Sequence, residues 1–177
     1  MYLISIYFDD ETDKKIRSLI KQVAKNTGNN YMLDDNVPPH ITISAFETNT
    51  ESEAVHCLEK CTKTLSSGRV EWVSVGVFLP YVIYLTPLLD KYLFQLSETV
   101  YDNFKNMENI SINRFYQPFQ WLPHTTIGRK LSEKEMRIAF ETLQKQFGVF
   151  SGTVTKIGIA RTNPHRDIKV LELKKAV

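Results

Sequence analysis

The sequence predicts an α+β fold built twice, as two antiparallel-sheet lobes with helices on the outside and a central cleft. Three observations predict it. "VPPHITISAF" (37–46) and "WLPHTTIGRK" (121–130) both contain Pro-His-x-Thr, a motif that occurs nowhere else in the chain. The two histidines, His40 and His124, lie 84 residues apart, close to half of the 177-residue length. Hydrophobic periodicity then repeats one order of elements in each half: strand, helix, His-bearing strand, helix, strand.

In the first half, "YLISIYF" (2–8) is rich in β-branched and aromatic residues and reads as a strand. Ile16, Leu19, Ile20, Val23 and Ala24 recur at helical spacing, and Gly28 supplies a stop. The first motif strand follows. Thr50 with Glu53 has the spacing of a capping box, opening a helix with Ala54, Leu58, Cys61 and Leu65 on one side. "RVEWVSVGVFL" (69–79) returns to strand.

The second half runs in parallel. "YVIYL" (81–85) is a strand, Pro87 suits a helix start, and Leu89, Leu93, Leu96 and Val100 form the stripe. A loop with Phe115, Tyr116, Phe119 and Trp121 feeds the second motif strand. Ser132 and Glu135 form another capping-box pair, before Met136, Phe140, Leu143 and Phe147. Strands at 152–161 and 168–174 close the chain, joined by a turn around "TNPHRD". No Gly/Ser-rich linker interrupts the sequence, so residues 1–177 are expected to pack as one bilobal domain. The lobes run approximately from 1–79 and 80–177, with room for strands to exchange between them.

Composition sets outer limits. Hydrophobic residues at 42% and charged residues at 24% are ordinary for a globular domain. No apolar run approaches the roughly 20 residues of a membrane helix. The N-terminus lacks a basic leader and cleavage site, which points to the cytoplasm. Residues 1–88 carry 8 Lys and Arg against 11 Asp and Glu, whereas the remainder carries 14 against 9. That mild asymmetry suits a phosphate but not a broad nucleic-acid platform. Cys57 and Cys61 are too few for a four-ligand zinc site and read as reduced thiols on a helix.

Side chains at i and i+2 of a strand share a face. His40 projects with Thr42, and His124 with Thr126, so two facing lobes would present two imidazoles and two hydroxyls to one cleft. Near neutral pH, one imidazole can accept a proton while the other donates one. Cleaving a phosphodiester needs both acts, and hydroxyls can hold the non-bridging oxygens as charge gathers there. The scheme needs no metal and no cofactor. His56 and His165 lack the motif, and their removal is expected to be nearly neutral.

The motifs "PPHITISAF" and "LPHTTIGRK", their spacing, the chain length and the central "SVGVFLPYVIYLTP" resemble the two-histidine phosphoesterases. Within that family they are similar to the 2'-5' RNA ligases, or RNA 2',3'-cyclic phosphodiesterases. The resemblance implies metal-independent opening of 2',3'-cyclic phosphates or cleavage of 2',5' linkages, with reversible ligation in some members. It makes His40, Thr42, His124 and Thr126 the catalytic set, and RNA ends or small nucleotides the partners, with no membrane and no obligate protein partner. Where the product is a 2'-phosphate, it implies that His40 protonates the departing 3' oxygen and His124 activates water. Phe46, Tyr84, Phe119 and Trp121 are candidates for stacking a base. Phe46 qualifies by sharing parity with His40 and Thr42. Arg129 continues the second motif, but alternation puts it opposite His124, so a phosphate contact needs a bend. Two competing readings are a non-catalytic module that binds RNA ends or nucleotides, and a metal hydrolase using both histidines.

Overall fold

A computed structural model describes residues 1–162 and 165–175. Its strands are β1 (Tyr2–Phe8), β2 (Ile41–Glu47), β3 (Gly68–Phe78), β4 (Val82–Pro87), β5 (Ser111–Ile112), β6 (Thr125–Gly128), β7 (Phe150–Arg161) and β8 (Arg166–Glu172). The helices are α1 (Asp10–Thr27), α2 (Tyr31–Asp34), α3 (Glu51–Thr62), α4 (Lys91–Phe104) and α5 (Glu133–Gln146). The turn expected around 162–167 includes Asn163 and Pro164, which lie outside the described residues.

The helices form where the apolar spacing placed them, but their ends are set by local chemistry. In α1, Ile16, Leu19, Ile20, Val23 and Ala24 are all buried. The Asp9 carboxylate accepts from the Thr12 amide at 2.8 Å, and Gly28, at φ 78°, donates its N–H to the Ala24 carbonyl. A left-handed residue at that point is what glycine tolerates best. In α5 both capping-box bonds are present between Ser132 and Glu135. The box expected at Thr50 is not made: the Thr50 side chain makes no cap bond. Pro87 ends β4 rather than starting a helix, and α4 is capped by Asp90, which accepts from the Leu93 amide. Leu89 therefore precedes the helix, whose buried stripe is Leu93, Leu96, Val100 and Phe104. The buried side of α5 is Ala139, Thr142 and Leu143, with Phe140 left half exposed.

The two expected sheets share a strand. The order is β5-β2-β1-β7-β3-β4-β6, with β8 also paired to β7, and every strand-to-strand pairing is antiparallel. The long β7 pairs with β3 through residues 150–154 and with β1 and β8 along its later part. The triplets β2-β1-β7 and β6-β4-β3 thus correspond, and each takes its third strand from the opposite half of the sequence. Helices cross over in the same way: α1 packs against α5 and β6, and α4 against α3 and β2. Their apolar faces join one continuous core that contains Ile4, Ile6, Phe46, Trp72, Ile83, Leu85 and Phe104.

Candidate active site

Both motifs are built alike. His40 and His124 each stand one residue before a strand, and Thr42 and Thr126 are the second residues of β2 and β6. His40 Nδ1 lies 2.7 Å from the Pro38 carbonyl oxygen, and His124 Nδ1 lies 3.0 Å from that of Leu122. A carbonyl only accepts, so Nδ1 must carry the hydrogen in both rings. That leaves Nε2 as the nitrogen able to take up or release a proton. In each motif the acceptor is two residues upstream, with a proline in between.

The symmetry extends to the backbone. The β1–β2 register slips so that Ser5 faces Thr42 and Ile4 faces Ser44, leaving Ile43 as the extra residue. In β4–β6, Tyr84 faces Thr126 and Ile83 faces Gly128, leaving Ile127 extra. A bulge directly after the motif threonine reverses the alternation that follows. Phe46 consequently pairs with Tyr2, stacks on it at 5.7 Å, meets Phe104 at 5.2 Å and is fully buried. It sits in the core rather than beside His40. Arg129 lies past the end of β6, exposed, with its guanidinium 6.0 Å from the Tyr31 ring.

On a flat sheet, β2 and β6 would be five strand spacings apart, about 24 Å at roughly 4.8 Å each. The Trp121 indole, three residues before His124, nevertheless donates to the Thr42 carbonyl at 2.9 Å. The sheet must therefore curl until its two motif strands approach one another. Trp121 is buried in making this link.

Around His124, the Phe78 ring stands nearly perpendicular to the imidazole with centroids 4.9 Å apart, and the Tyr84 ring lies at 5.3 Å. Tyr84 leans across β3, where a Cβ on Gly76 would fall 2.5 Å from its ring. That close approach requires glycine. Phe119 points elsewhere: it is exposed and contacts Phe94 of α4 at 4.9 Å. Thr125, facing inward between the motif residues, accepts from the buried Trp72 indole at 3.1 Å.

Around His40, the Tyr7 ring lies at 6.2 Å, and the Ser5 and Thr42 hydroxyl oxygens are 3.4 Å apart. Burial pulls the His40 pKa below its ordinary 6.5, helped by the nearby His165 and His124 and opposed by the Pro38 bond and the Asp167 charge. His124 is also lowered, chiefly by burial, against the opposing Leu122 bond. Burial and the Asp167 charge push the Tyr7 phenol upward. His165 Nε2 is 3.1 Å from Asp167 Oδ1. His56 instead lies on the surface of α3, 3.9 Å from Glu59.

The sequence profile of the 2'-5' RNA ligase superfamily matches residues 8–166. The chain belongs to that superfamily. No curated protein matches it in sequence. Its fold is shared by E. coli LigT solved with 3'-AMP, at 15% identity, TM-score 0.64 and 98% coverage of both chains. The protein TT0787 of Thermus thermophilus gives 12% identity, TM-score 0.66 and 99% coverage of both. A structure described only as a phosphoesterase gives 12% identity, TM-score 0.65 and 98% coverage of both. Superfamily membership supports phosphodiesterase-type activity in an enzyme of the two-histidine kind.

Several neighbours of the two motifs carry no signal in the sequence. Ser5 and Tyr7 alternate along β1, yet their relation to Thr42 and His40 depends on the β1–β2 register. The hairpin of β7 and β8 is legible in the sequence, but that it brings the charges of His165 and Asp167 to bear on His40 is not. Phe78 is legible as a strand residue, though not as a neighbour of His124. Among the described residues, no group of three His, Cys, Asp or Glu side chains is arranged to hold a metal ion. No helix among them is long and apolar enough to cross a membrane.

Proposed function

We propose that this superfamily member is a phosphodiesterase acting on RNA or nucleotide ends that carry a 2',3'-cyclic phosphate or a 2',5' linkage. One observation carries the reading: two imidazoles with the same Nδ1–carbonyl bond, each paired with a strand threonine, on strands drawn together by the Trp121–Thr42 bond. With phosphate between the rings, one Nε2 takes the proton from attacking water as the P–O bond forms. The other Nε2–H gives its proton to the ribose oxygen as the old P–O bond breaks. Atoms and charge balance without a further reagent. The Thr42 and Thr126 hydroxyls donate to the non-bridging oxygens, where the transition state gathers charge. For a 2'-phosphate product, His40 serves as acid and His124 as base. E. coli LigT, solved in complex with 3'-AMP, NADP+ and ATP, lends support for a nucleotide ligand.

The test is turnover of adenosine 2',3'-cyclic monophosphate in excess EDTA. Catalysis should survive chelation. His40→Ala and His124→Ala should each lower kcat by roughly 10²–10⁴, and Thr42→Ala and Thr126→Ala by less. Full activity in either histidine variant would refute the mechanism. Loss of all activity on chelation would favour the metal hydrolase, and binding without turnover a non-catalytic module.

A further inference from the structure

Among the described residues three tyrosines are buried, and they differ in what their hydroxyls meet. The Tyr2 phenol donates to Glu51 at 3.2 Å and accepts from Arg161 at 2.7 Å. Tyr7, 8% exposed, and Tyr84, 6% exposed, have no hydrogen-bond partner among the described residues. Buried tyrosine O–H groups ordinarily find one. Nor are these two oxygens sealed in the core, as the unpartnered Ser44 and Ser97 hydroxyls are. They stay open to a ligand.

Both unpartnered phenols flank a motif histidine. The Tyr7 ring centre is 6.2 Å from that of His40, and the Tyr84 ring centre is 5.3 Å from that of His124. Tyr7 shares a face of β1 with Ser5, whose hydroxyl oxygen is 3.4 Å from that of Thr42. Tyr84 directly faces Thr126. Each ring leans over a neighbouring strand at a glycine. A Cβ would lie 3.1 Å from the Tyr7 ring at Gly158, and 2.5 Å from the Tyr84 ring at Gly76. Duplication alone does not explain the pair. Ser5 faces Thr42 as Tyr84 faces Thr126, so Tyr84 corresponds to Ser5 and Tyr7 to Thr86. The two halves bring a phenol to their histidine from different positions.

We infer that the Tyr7 and Tyr84 phenols are two further catalytic hydrogen-bond donors, holding phosphoryl oxygens beside His40 and His124 respectively. A neutral O–H bonds most strongly to an anionic acceptor, and phosphate is the anion that the proposed mechanism brings between the rings. The inference deepens that mechanism and rests on it. Burial holds both phenols above their ordinary pKa, and the Asp167 charge adds to the effect on Tyr7. They therefore donate without releasing the proton, and the acid and base work stays with the imidazoles.

Calorimetry with inorganic phosphate tests the contacts without requiring turnover. Tyr7→Phe and Tyr84→Phe keep the ring and remove only the hydroxyl. Each should weaken phosphate binding by about 10- to 150-fold, the usual contribution of a hydrogen bond to a charged group. The kcat/KM on adenosine 2',3'-cyclic monophosphate should fall as well, with the limbs of its pH profile unmoved. Because neither hydroxyl bonds to the protein, both urea midpoints should stay at the wild-type value. Tyr92→Phe, which loses a bond to the Ser66 carbonyl, should bind phosphate as wild type does. Unchanged phosphate affinity or unchanged kcat/KM in either site variant overturns the inference. So does a loss that comes with a lower urea midpoint, since the hydroxyl would then serve the fold. A loss that comes with a shifted pH limb also overturns it, since the hydroxyl would then act through its histidine. Weaker phosphate binding in both variants, with no turnover of the cyclic substrate by wild type, would keep the contacts and reject the catalytic reading.

Discussion

At the scale of single residues, each motif histidine is held in one tautomer by a carbonyl two residues upstream. Both rings are therefore oriented before any substrate arrives, and only Nε2 is left to do chemistry. What distinguishes them is the company they keep. His124 sits among aromatic rings, whereas His40 feels the charges of His165 and Asp167, which act on it in opposite directions. By sequence alone His165 is as inert as His56, because it lacks the motif. Its position predicts otherwise. His165→Ala removes a charge that opposes protonation of His40 and should move one limb of the kcat/KM profile to higher pH. Asp167→Asn removes a charge that favours it and should move the same limb to lower pH. Parallel profiles in both variants, or shifts of the same sign, would show that the pair does not act on His40.

At the scale of elements, the duplication is deeper than the shared motif. The bulges at Ile43 and Ile127 fall at the same place relative to the two threonines. The motifs are legible because His, Pro and Thr are chemically distinctive at short spacing. A bulge has no such signature, and "ITISAF" alternates smoothly on paper. Parity therefore points Phe46 at the cleft, and the bulge turns it into the core. Capping differs for a related reason: Thr50 and Ser132 have the same spacing to a glutamate, yet only Ser132 has the backbone geometry to use it. Ser132 is extended, at φ −69° and ψ 168°, whereas Thr50 is at φ −119° and ψ 79°. Ser132→Ala should cost about 0.5–2 kcal/mol, whereas Thr50→Ala should be within about 0.5 kcal/mol of wild type. Urea unfolding of the two variants checks this, and equal losses would contradict the difference in cap geometry.

At the scale of the whole molecule, the site exists only when the sheet is complete. Each motif strand lies near one end of the strand path, and the Trp121–Thr42 bond joins the two ends because both halves exchange a strand and a helix and the sheet curls. In the proposed mechanism the catalytic unit is a pair of imidazoles, and its pH dependence belongs to the pair. The active microstate has one ring protonated and one neutral. Burial lowers both rings from the ordinary 6.5, and the His124 charge further disfavours protonation of His40. Above the higher of the two apparent pKa values both rings are neutral and the acid is lost. Below the lower one both are charged and the base is lost. Because both values are depressed, kcat/KM, which reports the free enzyme, should be bell-shaped with its maximum below about pH 6.5. A bound phosphodiester carries negative charge and favours protonated imidazole, so it should raise both values. The kcat profile should then peak at a higher pH than that of kcat/KM. Steady-state rates on adenosine 2',3'-cyclic monophosphate from about pH 4.5 to 9 separate the two curves. A kcat/KM profile that is flat, or that peaks on the alkaline side of kcat, would mean that the two histidines do not share one proton.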